Sequence, residues 1–145
     1  MWAIATWSKK AKIIITVVLV LPALVLTSII ALVSIGGAKE RARDAVRERD
    51  MDQIATAQEM YHRTNDHYYQ SVNYPSSIRD VMVETPRDPS TEDLYGWIDN
   101  TGNDQKFCAY ADLEKGGFYV VSNKGIGEIT TEPLTLSDCE KLPGK

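Results

Sequence analysis

No charged, His, Asn or Gln side chain occurs between Ile13 and Ile35. This gap of 23 residues, IIITVVLVLPALVLTSIIALVSI, rules out a solvated segment there. Chemistry-bearing residues are also scarce. The chain has two Cys and two His. It has no Gly-rich phosphate loop with its Lys, no Gly-x-Ser-x-Gly and no zinc-ligand spacing. With no constellation for nucleophilic, acid–base or metal chemistry, the expectation is a protein that is not an enzyme. Basic residues do not dominate either. Lys9, Lys10 and Lys12 stand without an acid in residues 1–12, whereas the remainder holds 13 basic and 20 acidic residues. That acidic balance argues against a nucleic-acid partner.

Residues 13–35, as a helix rising about 1.5 Å per residue, span roughly 34 Å, enough to cross a hydrocarbon core. Ile13, Pro22 and Ile35 mark the start, an interior proline and the end of this expected membrane anchor. Membrane helices tolerate such a proline when neighbouring groups satisfy the freed carbonyl. A cleaved signal peptide is the alternative, with Gly36-Gly37-Ala38 as the cleavage region. Yet an apolar run of this length exceeds the usual one. Charge counting across the span is equivocal. Three Lys precede it, and Lys39, Arg41, Arg43, Arg47 and Arg49 follow, interleaved with four acids. Because long domains translocate largely regardless of charge, the expected topology is a single pass of the cytoplasmic membrane. The N-terminus lies inside and the domain outside.

The chain therefore divides into a basic tail (1–12), a transmembrane helix (13–35), an amphipathic helix (36–69) and a small soluble β-rich domain packing on that helix (70–145). Gly36-Gly37 reads as a soft joint or a helix end. From Lys39 to about Tyr69 no Pro or Gly occurs. The alternating charges of its first half read as a solvated face. In its second half Val46, Ile54, Ala57, Met60 and Tyr61 form an apolar stripe, and Ile54, Ala57 and Tyr61 step by three and four. These three are the expected helix–sheet packing residues. Ser76 to Met82 reads as a short serine-capped helix, and Thr85 to Ser90 as a loop. Strands are expected at 94–99, 106–113, 118–122 and, weakly, 126–131, with an irregular tail from Leu134. The fold class is α+β: a long N-terminal helix packed on a small antiparallel sheet.

Cys108 and Cys139 both fall in the domain. Facing an oxidising space they would pair, while in a reversed topology they would be two buried thiols. His62 and His67 differ by five positions, about 140° beyond a full turn, so they do not share a helix face. Solvated or capping roles are expected for both. Asp88, Asp93, Asp99 and Asp104 are oxygen donors of the kind calcium requires, without a defining spacing.

Several stretches together resemble the type IV pilins, and in particular the major pseudopilins of type II secretion. They are Ala38–Ile54 (AKERARDAVRERDMDQI), Ala57–Tyr74 with its NDHYY, Tyr74-Pro75, Pro86-Arg87-Asp88-Pro89, Tyr95-x-Trp97 and Phe107–Glu114 (FCAYADLE) with Tyr119–Asn123 (YVVSN). The resemblance covers residues 38–130. It implies a pilin-like fold and a structural subunit that works by assembly. Expected partners are the membrane, further copies or other pilin-like chains, and an assembly platform. Calcium binding in a C-terminal loop is a family property. Ser122–Glu128 occupies the comparable place, but it contains Lys124 and no Asp. The expected cofactor is therefore none. The chain departs from the family at residues 9–20, KKAKIIITVVLV, where Leu19 stands near the place of the family's glutamate and the Gly-Phe junction is missing. Leader processing is not expected. The alternative function is a membrane-anchored extracytoplasmic binding domain that does not polymerise.

Overall fold

The computed structural model describes residues 9–142; the side chains of 9, 11–14 and 26–35 lie outside the description. The chain divides into two compact units, residues 1–39 and 40–145. Helix α1 (Lys9–Asn65) belongs to both.

In the first unit the side chains of Val17 to Leu21, Leu24 and Val25 are exposed. Pro22 lies inside the helix. Among the described residues no helix is long and apolar enough to cross a membrane. Ile13, Ile35 and the side chains of 26–35 fall outside those residues, as does most of the tail 1–12. Gly36 and Gly37 are helical, so the helix does not end there. Among the described residues, a methyl group at either would meet nothing within 4 Å beyond its own turn of helix.

The second unit is α+β. Strands β1 (Gly96–Trp97), β2 (Cys108–Asp112), β3 (Phe118–Ser122) and β4 (Gly125–Ile129) form an antiparallel sheet in that order. Tyr110 pairs with Gly96 on one side and Val120 on the other, and Val121 pairs with Ile126. β3 has the expected bounds, β1 and β2 are shorter than the sequence suggests, and β4 begins one residue earlier and ends two earlier. Beyond it Asn100 turns inward, and its side chain bonds to backbone groups of Tyr69, Ser71 and Lys106. Gly116 and Gly117 take positive φ between β2 and β3. A Cβ on Gly117 would stand 2.8 Å from the Ile129 carbonyl oxygen.

Alternation along the strands sorts the core into two clusters. Ala109, Ala111 and Val121 face α1, where they join Met51, Ile54, Ala57 and Phe107. On the opposite side, Cys108 and Val120 cluster with Cys139. Cys139 ends α2 (Leu136–Cys139), a single turn opened by a Thr135–Asp138 capping box within the stretch expected to be irregular.

Three further expectations change. α1 stops at Asn65, not near Tyr69, because Asp66 adopts φ 60° and later amides find other partners. The Tyr68 N–H donates to Asp104 O and the Tyr69 N–H to Gln58 Oε1. Residues 76–82 form no helix; Ile78 and Met82 bond each other's backbones around Asp80 at φ 63°. Met60, placed in the apolar stripe, is exposed, and the buried Met51 takes part in its stead.

Candidate functional site

The expected packing residues occupy the helix–sheet seam. Ile54 and Ala57 are buried, and Tyr61 is partly buried against the same cluster. The Tyr61 ring meets Tyr69 and His67 edge-on at 5.4 and 5.6 Å. Cys108 and Cys139 form a disulfide, with Cα atoms 6.1 Å apart. The Ser122 hydroxyl donates to the Cys139 carbonyl oxygen at 3.2 Å, and Lys106 pairs with Glu140 at 2.9 Å. The C-terminal segment thus covers the sheet face turned away from α1.

The two histidines do separate things. His67 Nδ1 lies 2.7 Å from the Asn65 carbonyl oxygen, and His62 stacks on Tyr68 with ring centroids 4.4 Å apart. Segment Ser122–Glu128 is a tight hairpin, and the Ser122 hydroxyl accepts from the Lys124 N–H. Among the described residues, no group of three or more His, Cys, Asp or Glu side chains is placed to share a metal ion.

The most concentrated chemistry lies where sequence reasoning expected a solvated face. Asp44, Arg47 and Asp50 are only 3%, 4% and 5% exposed. Their spacing of three extends the stripe of Ile54, Ala57 and Tyr61 back by three turns, and this continuity was the available signal. A charge on a buried stripe must be neutralised in place. Arg47 meets three carboxylates. Its Nε donates to Asp88 Oδ2 at 2.6 Å, and its Nη1 donates to Asp44 Oδ1 and Glu114 Oε1, both at 2.8 Å. Its Nη2 donates to Asp88 Oδ1 at 3.2 Å and to Ser90 Oγ at 2.9 Å. Arg43 pairs with Glu114 as well. Asp44 in turn accepts the backbone N–H groups of Glu114 and Lys115 at 2.9 and 3.1 Å. One turn of α1 therefore holds both the Pro86–Ser90 loop and the β2–β3 turn.

The electrostatics follow from those contacts. Burial opposes the Asp88 charge. Bonds from Arg47, from the Ser90 hydroxyl and from two backbone N–H groups outweigh it, leaving the carboxyl well below its usual range. Arg43, then Arg47, hold Glu114 at about 2. Asp50 behaves oppositely: burial raises its pKa although Tyr95 donates a 2.8 Å hydrogen bond to it. Its nearest cation, Arg49, is 4.0 Å away on an exposed side chain.

Beside this junction opens a cleft of about 540 Å³, whose lining includes Arg47, Asp88, Tyr95, Tyr110, Phe118 and Glu132. Tyr110 and Phe118 meet edge-on at 5.9 Å, and the Tyr110 hydroxyl donates to Glu132 at 2.8 Å. Arg47, the one cation in that lining, is already bonded to three carboxylates. The arrangement locks loops to a helix. Comparison with family models, with curated proteins and with solved structures finds no match.

Proposed function

We propose that the chain is a membrane-anchored, pilin-like structural subunit that acts by assembly with other copies or related chains. Its domain sits on the extracytoplasmic side. The observation that carries this reading is the continuous helix Lys9–Asn65. Its Val17–Val25 stretch presents exposed apolar side chains, while Ile54 and Ala57 are buried against a small antiparallel sheet. One element then has an apolar surface for lateral packing and a buried stripe for its own domain. The disulfide fits an oxidising compartment. The second reading, an anchored binding domain that does not polymerise, is favoured by Leu19 standing where the resembled family has a glutamate.

The test uses the full chain expressed in bacterial cells. It should stay with the membrane through an alkaline carbonate wash. The double variant Val18→Cys/Val25→Cys, oxidised in place, should give ladders of linked chains. Release by carbonate would sink the anchor. Retention with no linked chains would favour the non-polymerising domain.

A further inference from the structure

The cleft beside the junction holds charge that its own chain does not meet. Arg43 and Arg47 take up Glu114 and Asp88. Three further carboxylates, Asp93, Asp112 and Glu132, share the lining, and all are exposed. Among the described residues none of the three has an ion pair, and only the Glu132 carboxylate is hydrogen-bonded, by the Tyr110 hydroxyl. The rings of Tyr110 and Phe118 line the same cleft. Ring faces attract cations, and a guanidinium both stacks on them and forks to a carboxylate. The chain has one to spare. Arg41 is exposed and makes no hydrogen bond or ion pair among the described residues, whereas Arg43 and Arg47 are committed. It stands six positions before Arg47, hence about 120° round α1 and about 9 Å along it. Arg41 thus leaves the helix on a different face from the residue that lines the cleft. Ala45, one turn on, is exposed too, so that face admits a close neighbour.

We propose that Arg41 of a second copy enters this cleft, its guanidinium against the Tyr110 and Phe118 rings and within reach of Asp93, Asp112 and Glu132. Cleft and Arg41 lie on different surfaces, so the contact is heterologous and repeats from chain to chain without a two-fold. Both copies keep one orientation, as anchoring in one membrane requires. Their α1 helices stay parallel, with one advanced about 9 Å along the other to bring its Arg41 level with Arg47. The other α1 cations of the domain fit less well. Arg43 and Arg47 are paired, Arg49 lies 4.0 Å from Asp50, and Arg63 would need a shift of about 24 Å the other way. That shift would draw most of one anchor out of a hydrocarbon core of about 30 Å. The contact rests on the assembly reading and supplies it with an interface.

The test is cross-linking of the full chain in bacterial membranes. An Arg–Asp pair holds its two Cβ atoms too far apart for a direct disulfide, so the contact is bridged with a short bismaleimide. The double variant Arg41→Cys/Asp112→Cys should give ladders, because each chain offers both halves of the contact. Either single variant should give none, and the two mixed should give a linked pair only. In the Val18→Cys/Val25→Cys background, Arg41→Glu should lower the yield of ladders about tenfold, because it sets an acid among carboxylates. Adding Asp112→Arg should recover part of that loss, and Arg63→Glu should change nothing. Arg41 and Asp112 are unpaired within the domain, so the melting temperature should stay at the native value in these variants. Ladders through Val18→Cys/Val25→Cys that ignore Arg41→Glu, with no link through Arg41→Cys/Asp112→Cys, overturn the contact and leave the assembly reading standing. Sensitivity to Arg63→Glu in place of Arg41→Glu overturns it as well. Links through Arg41→Cys/Asp112→Cys without ladders through Val18→Cys/Val25→Cys uphold the contact while lateral packing of the anchors fails. Absence of both overturns contact and reading together.

Discussion

Arg47 joins three carboxylates from three segments of the domain. Replacing it with Met keeps the stem but removes the cation from the buried Asp44 and from Asp88 and Glu114. A loss of about 3–5 kcal/mol is expected in chemical denaturation. The same junction makes the domain acid-sensitive. Asp88 and Glu114 have folded-state pKa values below their unfolded ones, so their contribution is complete above the unfolded values. For Glu114 it disappears as pH falls from 4.5 to about 2. Asp50 carries the opposite sign. Its folded pKa is raised, so it favours the folded state most at low pH and less as pH rises through that value. Asp50→Asn keeps an acceptor for the Tyr95 hydroxyl and removes the buried charge. Its melting temperature should exceed the native one at neutral pH, and the gain should shrink as pH falls through the raised pKa of the native carboxyl.

Among the elements, β1 depends on one glycine. The Tyr110 ring lies flat over Gly96, and a Cβ there would come within 2.2–2.5 Å of three ring atoms. Gly96→Ala must displace an aromatic body that also meets Phe118 and donates to Glu132. The expected cost is about 1–3 kcal/mol, and it should shrink in a Tyr110→Ala background. Elements also differ in how readable they were. β2 and β3 were legible because CAYAD and FYVVS flank a glycine pair that only a turn accommodates. The second half of α1 was legible from Ile54, Ala57 and Tyr61. Its first half was misread because charge pointed to solvent, whereas Asp44, Arg47 and Asp50 lie on the buried stripe. Residues 66–95 were the least legible. Their course is set by distant partners such as Gln58 for Tyr69 and Asn100 for Ser71, which no local pattern reveals.

At the scale of the whole domain, the C-terminal segment closes the second core cluster. Its ties are the disulfide, the Lys106–Glu140 pair and the Ser122–Cys139 bond. Replacing both Cys108 and Cys139 with Ser should cost about 3–4 kcal/mol in urea unfolding. Proteolysis should then cut first between Pro133 and Leu142, leaving the helix–sheet cluster protected. The even cysteine count made the bridge readable; the single turn of α2 inside the tail was missed, although Thr135 and Asp138 spell its cap.

The disulfide has a mechanical side as well. Tension entering at the C-terminal end passes from Cys139 straight to Cys108, on a strand flanked by neighbours. The β2–β3 and β3–β4 turns lie off that path. A sequence separation of 31, at up to about 3.6 Å per residue, withholds roughly 110 Å of extension from a pulled chain. A chain pulled at Leu142 would thus keep the β2–β3 and β3–β4 pairings while the disulfide took the strain.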